Sequence, residues 1–265
     1  SKPAEEMYGW GVTVNRSGDG NGFVENVIQN WGGHYTDADL TQLTFNSPET
    51  VAAVEWLTEI YAADKWAPML PPGIMSWTDS SNNEAYLAGN VAYTHNAASV
   101  YAQAKADGNP VFGNTVVLWP AQGPTGQDLI SGGGGQHNIF KGAKQVALAK
   151  ELALHMLKPE VFVPISTVSA GLFLPAYAKY YEMDEVKQQF EADPNLQLMG
   201  QTAQGQHPGS SWPADPNPFF DAIAAQAILT DMMARTITEG MKPADAVKEA
   251  EDRIALIADE MQVFK

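Results

Sequence analysis

From Ala143 to its end the chain reads almost entirely as helix, and this restricts the fold more than any other feature. The segments at about 144–157, 160–169, 184–192, 217–238 and 243–261 are predicted helices. Gly240 and Pro243 mark the start of the last one. The first half differs. Residues 9–14, Gly-Trp-Gly-Val-Thr-Val, predict a strand, as do 90–96, 114–120 and 137–140. Between them lie short helices. Residues 22–30 place Phe23, Val27 and Ile28 on one side. Ser47, Pro48 and Glu49 form a helix start, followed by an apolar stripe of Val51, Val54, Leu57 and Tyr61. A further helix opens at Asp79, Ser80 or Ser81 and closes at Gly89, and another covers 97–108. Strands interleaved with helices early and helices alone late predict an α/β fold with helical additions.

A chain of 265 residues, 45% hydrophobic, is long enough for one large domain or two lobes. Its formal net charge of −16, with no Lys/Arg cluster, argues against nucleic acid and against an anionic membrane surface. The absence of cysteine excludes disulfides, thiolate metal sites and a cysteine nucleophile. No run approaches the ~18–20 apolar residues that cross a bilayer. The opening Ser1-Lys2-Pro3-Ala4-Glu5-Glu6 reads as a mature start or as the interior of a longer chain.

Familiar catalytic patterns are missing. There is no His-Glu-x-x-His, no Gly-x-Ser-x-Gly, and "GGGGQHNIFKGAK" lacks the Lys-Ser/Thr ending of a phosphate loop. "GDGNG" fails as a calcium loop because Phe23 stands at a ligand position. Asp37 and Asp39 alternate in a polar turn that could hold calcium or simply be solvated. His34, His95, His137, His155 and His207 show no helical metal-pair spacing. No cofactor and no metal are therefore expected. Seven tryptophans remain, several in loops beside Gly, Pro, Asp or Asn. A loop tryptophan offers a flat apolar face that tolerates water, suited to stacking on a sugar ring.

Four segments, taken in order, carry a family likeness. "NVIQNWGGHYTDAD" followed by "LTFNSPETVAAVEWLTEIY" resembles a Gly-Gly turn and an Asn-Ser-Pro-Glu helix start. "AYLAGNVAYTHNAAS" resembles a strand and turn, "ISGGGGQHNIFKGAKQVALAKELALHML" a crossing between lobes, and "MKPADAVKEAEDRIALIAD" a closing helix. Each motif is degenerate, but their order and spacing resemble the extracellular solute-binding proteins of bacterial ABC importers, in the sugar-binding group that includes maltose-binding protein. The resemblance implies a periplasmic-binding-protein-like (type II) two-lobe fold. It implies capture of a carbohydrate or polyol outside the cytoplasm, periplasmic or extracellular, by a lipoprotein that delivers it to membrane permease subunits.

That family carries about a hundred more residues ahead of "GWGVTV". The chain thus reads as a C-terminal fragment lacking most of the first lobe. Residues 5–130 and 184–265 would form the second lobe and 133–182 a remnant of the first, with exposed apolar surface there and self-association as a consequence.

The resemblance also implies site residues, each with a structural alternative. Asp19 and Asn21 would make polar ligand contacts, or form a glycine turn. Trp31 would stack on ligand, or plug the lobe. Trp77 and Asp79 would form a cleft wall, or cap and pack. Asn96 matches a strand-end ligand Asn, or is a turn residue. Gly134 and Gln136 would meet ligand, or serve as a hinge. Trp212 and Asp215 lie in a loop that reaches the cleft, or belong to a helix cap and staple. An alternative function is a carbohydrate-active enzyme using two of Asp19, Asp79 and Asp215 as acid and base, which requires them within about 5–10 Å. A calcium-dependent lectin using Asp37 and Asp39 is a third.

Overall fold

Helix α1 (Gly18–Trp31) begins inside the stretch that reads as a glycine-rich loop, so Asp19 and Asn21 sit in its first turn and not in a loop. Ser17 caps it, accepting the Gly20 N–H at 3.0 Å. Side-chain caps on the first-turn amides, Ser17 on Gly20 and Asp79 on Asp19, offset the poor helix propensity of the glycines, and glycine is needed at 20 because a Cβ there would lie 2.2 Å from the Asn15 carbonyl oxygen. The far end answers to its Trp-Gly-Gly ending. Gly32 takes the left-handed conformation (φ 94°), and the Gly32 and Gly33 amides donate to the carbonyls of Gln29 and Ile28. Gly33 itself packs where a side chain would strike Thr50 Oγ1 at 2.4 Å.

The computed structural model describes residues 1–2, 5–119, 121–127, 129–130, 137–175, 177–205 and 209–264. They fall into two compact units: Ser1–Asn96 with Pro120–Ser131 and Gln206–Lys265, and Ala97–Trp119 with Gly132–Gly205.

In the first unit α1 packs with α2 (Pro48–Ala62) and α10 (Ile228–Ile237), and α11 (Pro243–Met261) packs with α2 and α10. The Ser47 hydroxyl accepts the Thr50 N–H at 3.2 Å and Pro48 opens α2, as the sequence predicts. The core is Val12, Val14, Phe23, Val24, Ile28, Phe45, Val54, Leu57, Phe219, Leu229, Met233 and Ile254 with their neighbours, all buried. Burying each such side chain contributes roughly 1.5–3 kcal/mol. α3 (Ser81–Leu87) and α9 (Pro218–Ala225) complete the helices of this unit. The span 217–238 is two helices, because Ala227 adopts φ 53° between α9 and α10.

Of the predicted strands, 9–14 and 90–96 contain extended segments that lie side by side. Tyr8 and Val91 form a parallel bridge, and Gly11 N–H donates to the Tyr93 carbonyl at 2.8 Å. Among the described residues this pairing never extends to a ladder, and 114–119 and 137–140 form no strand. A strand persists only where a neighbouring strand supplies its hydrogen bonds; in 114–119 the Val117 N–H and the Thr115 carbonyl are instead met by the Asn195 side chain.

The second unit holds α4 (Ser99–Ala106), α5 (Val146–Met156), α6 (Pro159–Val168), α7 (Asp184–Ala192) and α8 (Pro194–Thr202). Two small cores serve it, one of Tyr101, Leu196 and Met199, the other of Val163, Tyr180 and Val186. α8 escapes the sequence reading although Asp193-Pro194 is a cap followed by Pro at the first position. Asp193 accepts the amides of Asn195 and Leu196 and also the Tyr101 hydroxyl at 2.8 and 2.9 Å, joining α4 to α8. Burial pushes the Tyr101 hydroxyl up to about 12, so it stays a donor. α5 differs from every other described α-helix of this unit: none of its 11 residues is buried, and Leu148, Leu152 and Leu154 stand in solvent.

Candidate functional site

The first unit assembles a continuous line of polar groups from three separate stretches of sequence. Asp79, in the turn ahead of α3, accepts the Asp19 backbone N–H at 2.8 Å. Asp19 Oδ2 accepts from Asn82 Nδ2 at 3.0 Å. Asn82 Oδ1 accepts the Asn83 N–H at 3.0 Å, and Asn83 Oδ1 accepts from Asn96 Nδ2. Thus Asp79, Asp19, Asn82, Asn83 and Asn96 form one chain of carboxylates and amides, with Asn82 fully buried and Asp79 exposed. The arrangement orients both donors and acceptors, which is what recognition of hydroxyl groups needs.

Local structure explains the placement. The acid at Asp79 lies at the N-terminus of α1, where the helix end favours negative charge. Thr78 N–H donates to Ser81 Oγ at 2.9 Å, tightening the turn. The Trp77 carbonyl accepts from Asn15 Nδ2 at 3.3 Å, and its half-buried ring packs on the core. His95 sits behind Asn96 with its ring 5.1 Å from that of Phe23. Burial lowers the His95 pKa against the opposing charge of Asp19, which favours the neutral imidazole. Asn21 is half-buried and its Oδ1 has no hydrogen-bond partner.

The remaining predicted residues lie away from this line or outside the described residues. Trp31 packs against the core and Trp56, ring centroids 5.9 Å apart. Trp212 is 39% exposed in the turn before α9, and Asp215 is exposed beside it. Asn217 caps α9, accepting the Phe219 N–H at 2.9 Å. Gly134 and Gln136 lie outside the described residues. Sequence reasoning missed Asn82, Asn83 and His95. The signal available was the amide pair in the first turn of a helix that follows an acid-bearing loop.

The Asp79 carboxylate accepts the Asp19 N–H and the Asp19 carboxylate accepts from Asn82, so both acids brace α1 against α3. Asp37 accepts the Thr41 and Gln42 amides and the Thr41 hydroxyl, which holds its carboxyl below the usual range and makes it the pivot of a turn. Among the described residues no three His, Asp or Glu side chains converge as metal ligands.

The family model described as bacterial extracellular solute-binding protein matches residues 4–198. No curated protein sequence matches the chain. Maltose-bound MalE3 of T. maritima is similar in structure, with a TM-score of 0.74 at 15% identity over 97% of this chain and 62% of that one. A solute-binding protein of Thermotoga lettingae bound to α-D-tagatose gives 0.76 at 15% identity, covering 97% and 61%. One from Agrobacterium vitis with bound D-mannitol gives 0.70 at 14% identity, covering 99% and 63%. The fold is therefore the periplasmic-binding-protein-like α/β fold of these structures, and the chain spans about three fifths of their length.

Proposed function

The chain belongs to the bacterial extracellular solute-binding proteins, and from that membership we propose that it captures a sugar or related polyol outside the cytoplasm and delivers it to the membrane subunits of an ABC importer. The observation that carries the reading is the polar line Asp79–Asp19–Asn82–Asn83–Asn96, ordered by its own hydrogen bonds. In this reading Asp19, Asp79 and Asn96 supply polar contacts, Asn21 adds an acceptor, and Trp77 and Trp212 supply apolar faces. Asp215, Gly134 and Gln136 complete the ligand's surroundings, and Trp31 supports the lobe from within. The protein does no bond chemistry. It works in the periplasm or at the cell surface as a lipid-anchored protein. Free copies self-associate through the apolar residues of α5. No described helix is long and apolar enough to cross a membrane.

The test is thermal unfolding with and without maltose, D-tagatose, D-mannitol and ribitol, followed by calorimetric titration of any that act. A solute at 100 times its Kd stabilises by about 2.7 kcal/mol. The expected result is a rise in melting temperature with at least one solute, abolished in Asp19→Ala. No shift across the four, or an undiminished shift in Asp19→Ala, sinks the reading.

A further inference from the structure

α1 also holds a second segment, by side chains that the polar line does not use. Gln29, buried, donates Nε2 to the Gly209 carbonyl at 2.8 Å. Ser210 donates its hydroxyl to Glu25 Oε2 at 2.9 Å, while the buried Tyr35 hydroxyl donates to Glu25 Oε1 at 3.0 Å. Glu25 and Gln29 are four residues apart on one helix face, so they grip consecutive residues of the same segment. A hydroxyl bound to a carboxylate is the stronger, charge-assisted kind of hydrogen bond. Both ends of the Glu25 carboxylate are occupied, which fixes its orientation.

Beyond these two anchors the segment forms a turn with buried shoulders and an exposed tip. Ala214 N–H donates to the Ser211 carbonyl at 2.8 Å, and Trp212 N–H reaches the Gly209 carbonyl at 3.3 Å. Ser211 and Ala214 are buried, whereas Trp212 presents its ring to solvent. Two anchors at adjacent residues fix both the place and the rotation of the backbone, and the turn carries that constraint to the indole. Ten residues of helix separate Asp19 from Gln29, roughly 15 Å along the axis. One rigid element thus carries the polar line at one end and the tether of the aromatic ring near the other.

From this we infer that Glu25 and Gln29 are positioning residues that set where Trp212 stands for a ligand, a role that rests on the solute-binding reading above. Pre-ordering a contact removes its ordering cost at the moment of binding. Neither residue touches the ligand itself.

The test uses the full chain labelled with 5-fluorotryptophan, whose seven tryptophans give separate fluorine resonances. Trp212→Phe identifies the one that matters. In the double variant Glu25→Ala with Gln29→Ala the Trp212 resonance is expected to shift or broaden while the other six hold. Affinity for whichever of maltose, D-tagatose, D-mannitol or ribitol binds the wild type should fall about tenfold. Glu25→Gln, which keeps an acceptor for Ser210, should restore most of both. A stationary Trp212 resonance overturns the inference, and so does a moved resonance with unchanged affinity. If the double variant unfolds, all seven resonances collapse together, and Gln29→Met alone then decides by the same two readouts. If the wild type binds none of the four solutes, the solute-binding reading fails and the ligand role of the tether fails with it. The Trp212 resonance still shows separately whether the tether exists.

Discussion

Asp79 accepts the backbone N–H of Asp19 at 2.8 Å, so a loop acid 60 residues away in sequence closes the first turn of α1. Asp19 in turn is held by Asn82. The two acids are therefore parts of one brace between α1 and α3. Asp79→Ala is expected to cost about 1 kcal/mol, from one charge-assisted hydrogen bond at an exposed helix end. Asn82→Ala is expected to cost more, about 1–3 kcal/mol, because it leaves the Asp19 carboxylate without its buried donor. Urea unfolding of both variants checks the order; equal or reversed losses would show that the brace is not what stabilises this corner.

The same substitution should have opposite signs two residues apart. A Cβ at Gly20 would lie 2.2 Å from the Asn15 carbonyl oxygen, whereas one at Gly22 meets nothing within 4 Å. Gly20→Ala is expected to destabilise by at least about 1–3 kcal/mol through overpacking. Gly22→Ala should stabilise by about 0.5–1 kcal/mol, since alanine loses less backbone freedom in a helix. Chemical denaturation midpoints settle it, and a stable Gly20→Ala would mean that α1 does not start where it is described.

His95 gives a pH dependence with a definite sign. Burial lowers its pKa below 6.5 in the fold, with Asp19 opposing. A histidine depressed on folding contributes stability that is present above pH 6.5 and lost as pH falls through the folded value. The stability of the wild type relative to His95→Gln should therefore decline on acidification below pH 6.5. Melting curves from pH 7.5 to 5 measure this; a difference that grows toward acid pH would refute it.

Glu25 has the opposite dependence. Burial raises its pKa above 4.5, and the hydrogen bonds from Ser210 and Tyr35 only partly offset this. His34 also lines the small cavity beside it. The stability Glu25 contributes is fully present below pH 4.5 and is lost as pH rises through its folded value. Glu25→Gln should gain stability relative to wild type between pH 4 and pH 7. An unchanging difference in melting temperature would place Glu25 in water.

The helix starts were legible because capping chemistry is local: Ser47-Pro48 and Pro243 mark α2 and α11 where the sequence puts them. What failed was set by contacts distant in sequence. The first turn of α1 forms in the glycines of 18–22 with the Asp19 N–H held by Asp79, 60 residues away. The single helix expected over 217–238 breaks at Ala227, where Arg16 and Arg253 reach the Gln226 carbonyl. Asp19, Asp79 and Asn96 could be singled out as polar residues near turns. That they join through Asn82 and Asn83 could not, because two amides in a short helix look like any solvated face until the acid beneath them is placed. Asp193-Pro194-Asn195 is a readable cap for α8 that apolar periodicity alone does not reveal.

The bare helix α5 makes the handling of this protein a matter of ionic strength. Its leucines invite other apolar surfaces, while a formal charge of −16 keeps identical molecules apart. That repulsion reaches about 30 Å in 10 mM salt and about 8 Å at physiological strength. Dilute buffer should therefore hold the protein dispersed by charge alone, and added salt should bring the leucine-bearing surfaces of separate molecules within reach. Light scattering across a salt series would trace the transition, with purification best begun on the dilute side of it.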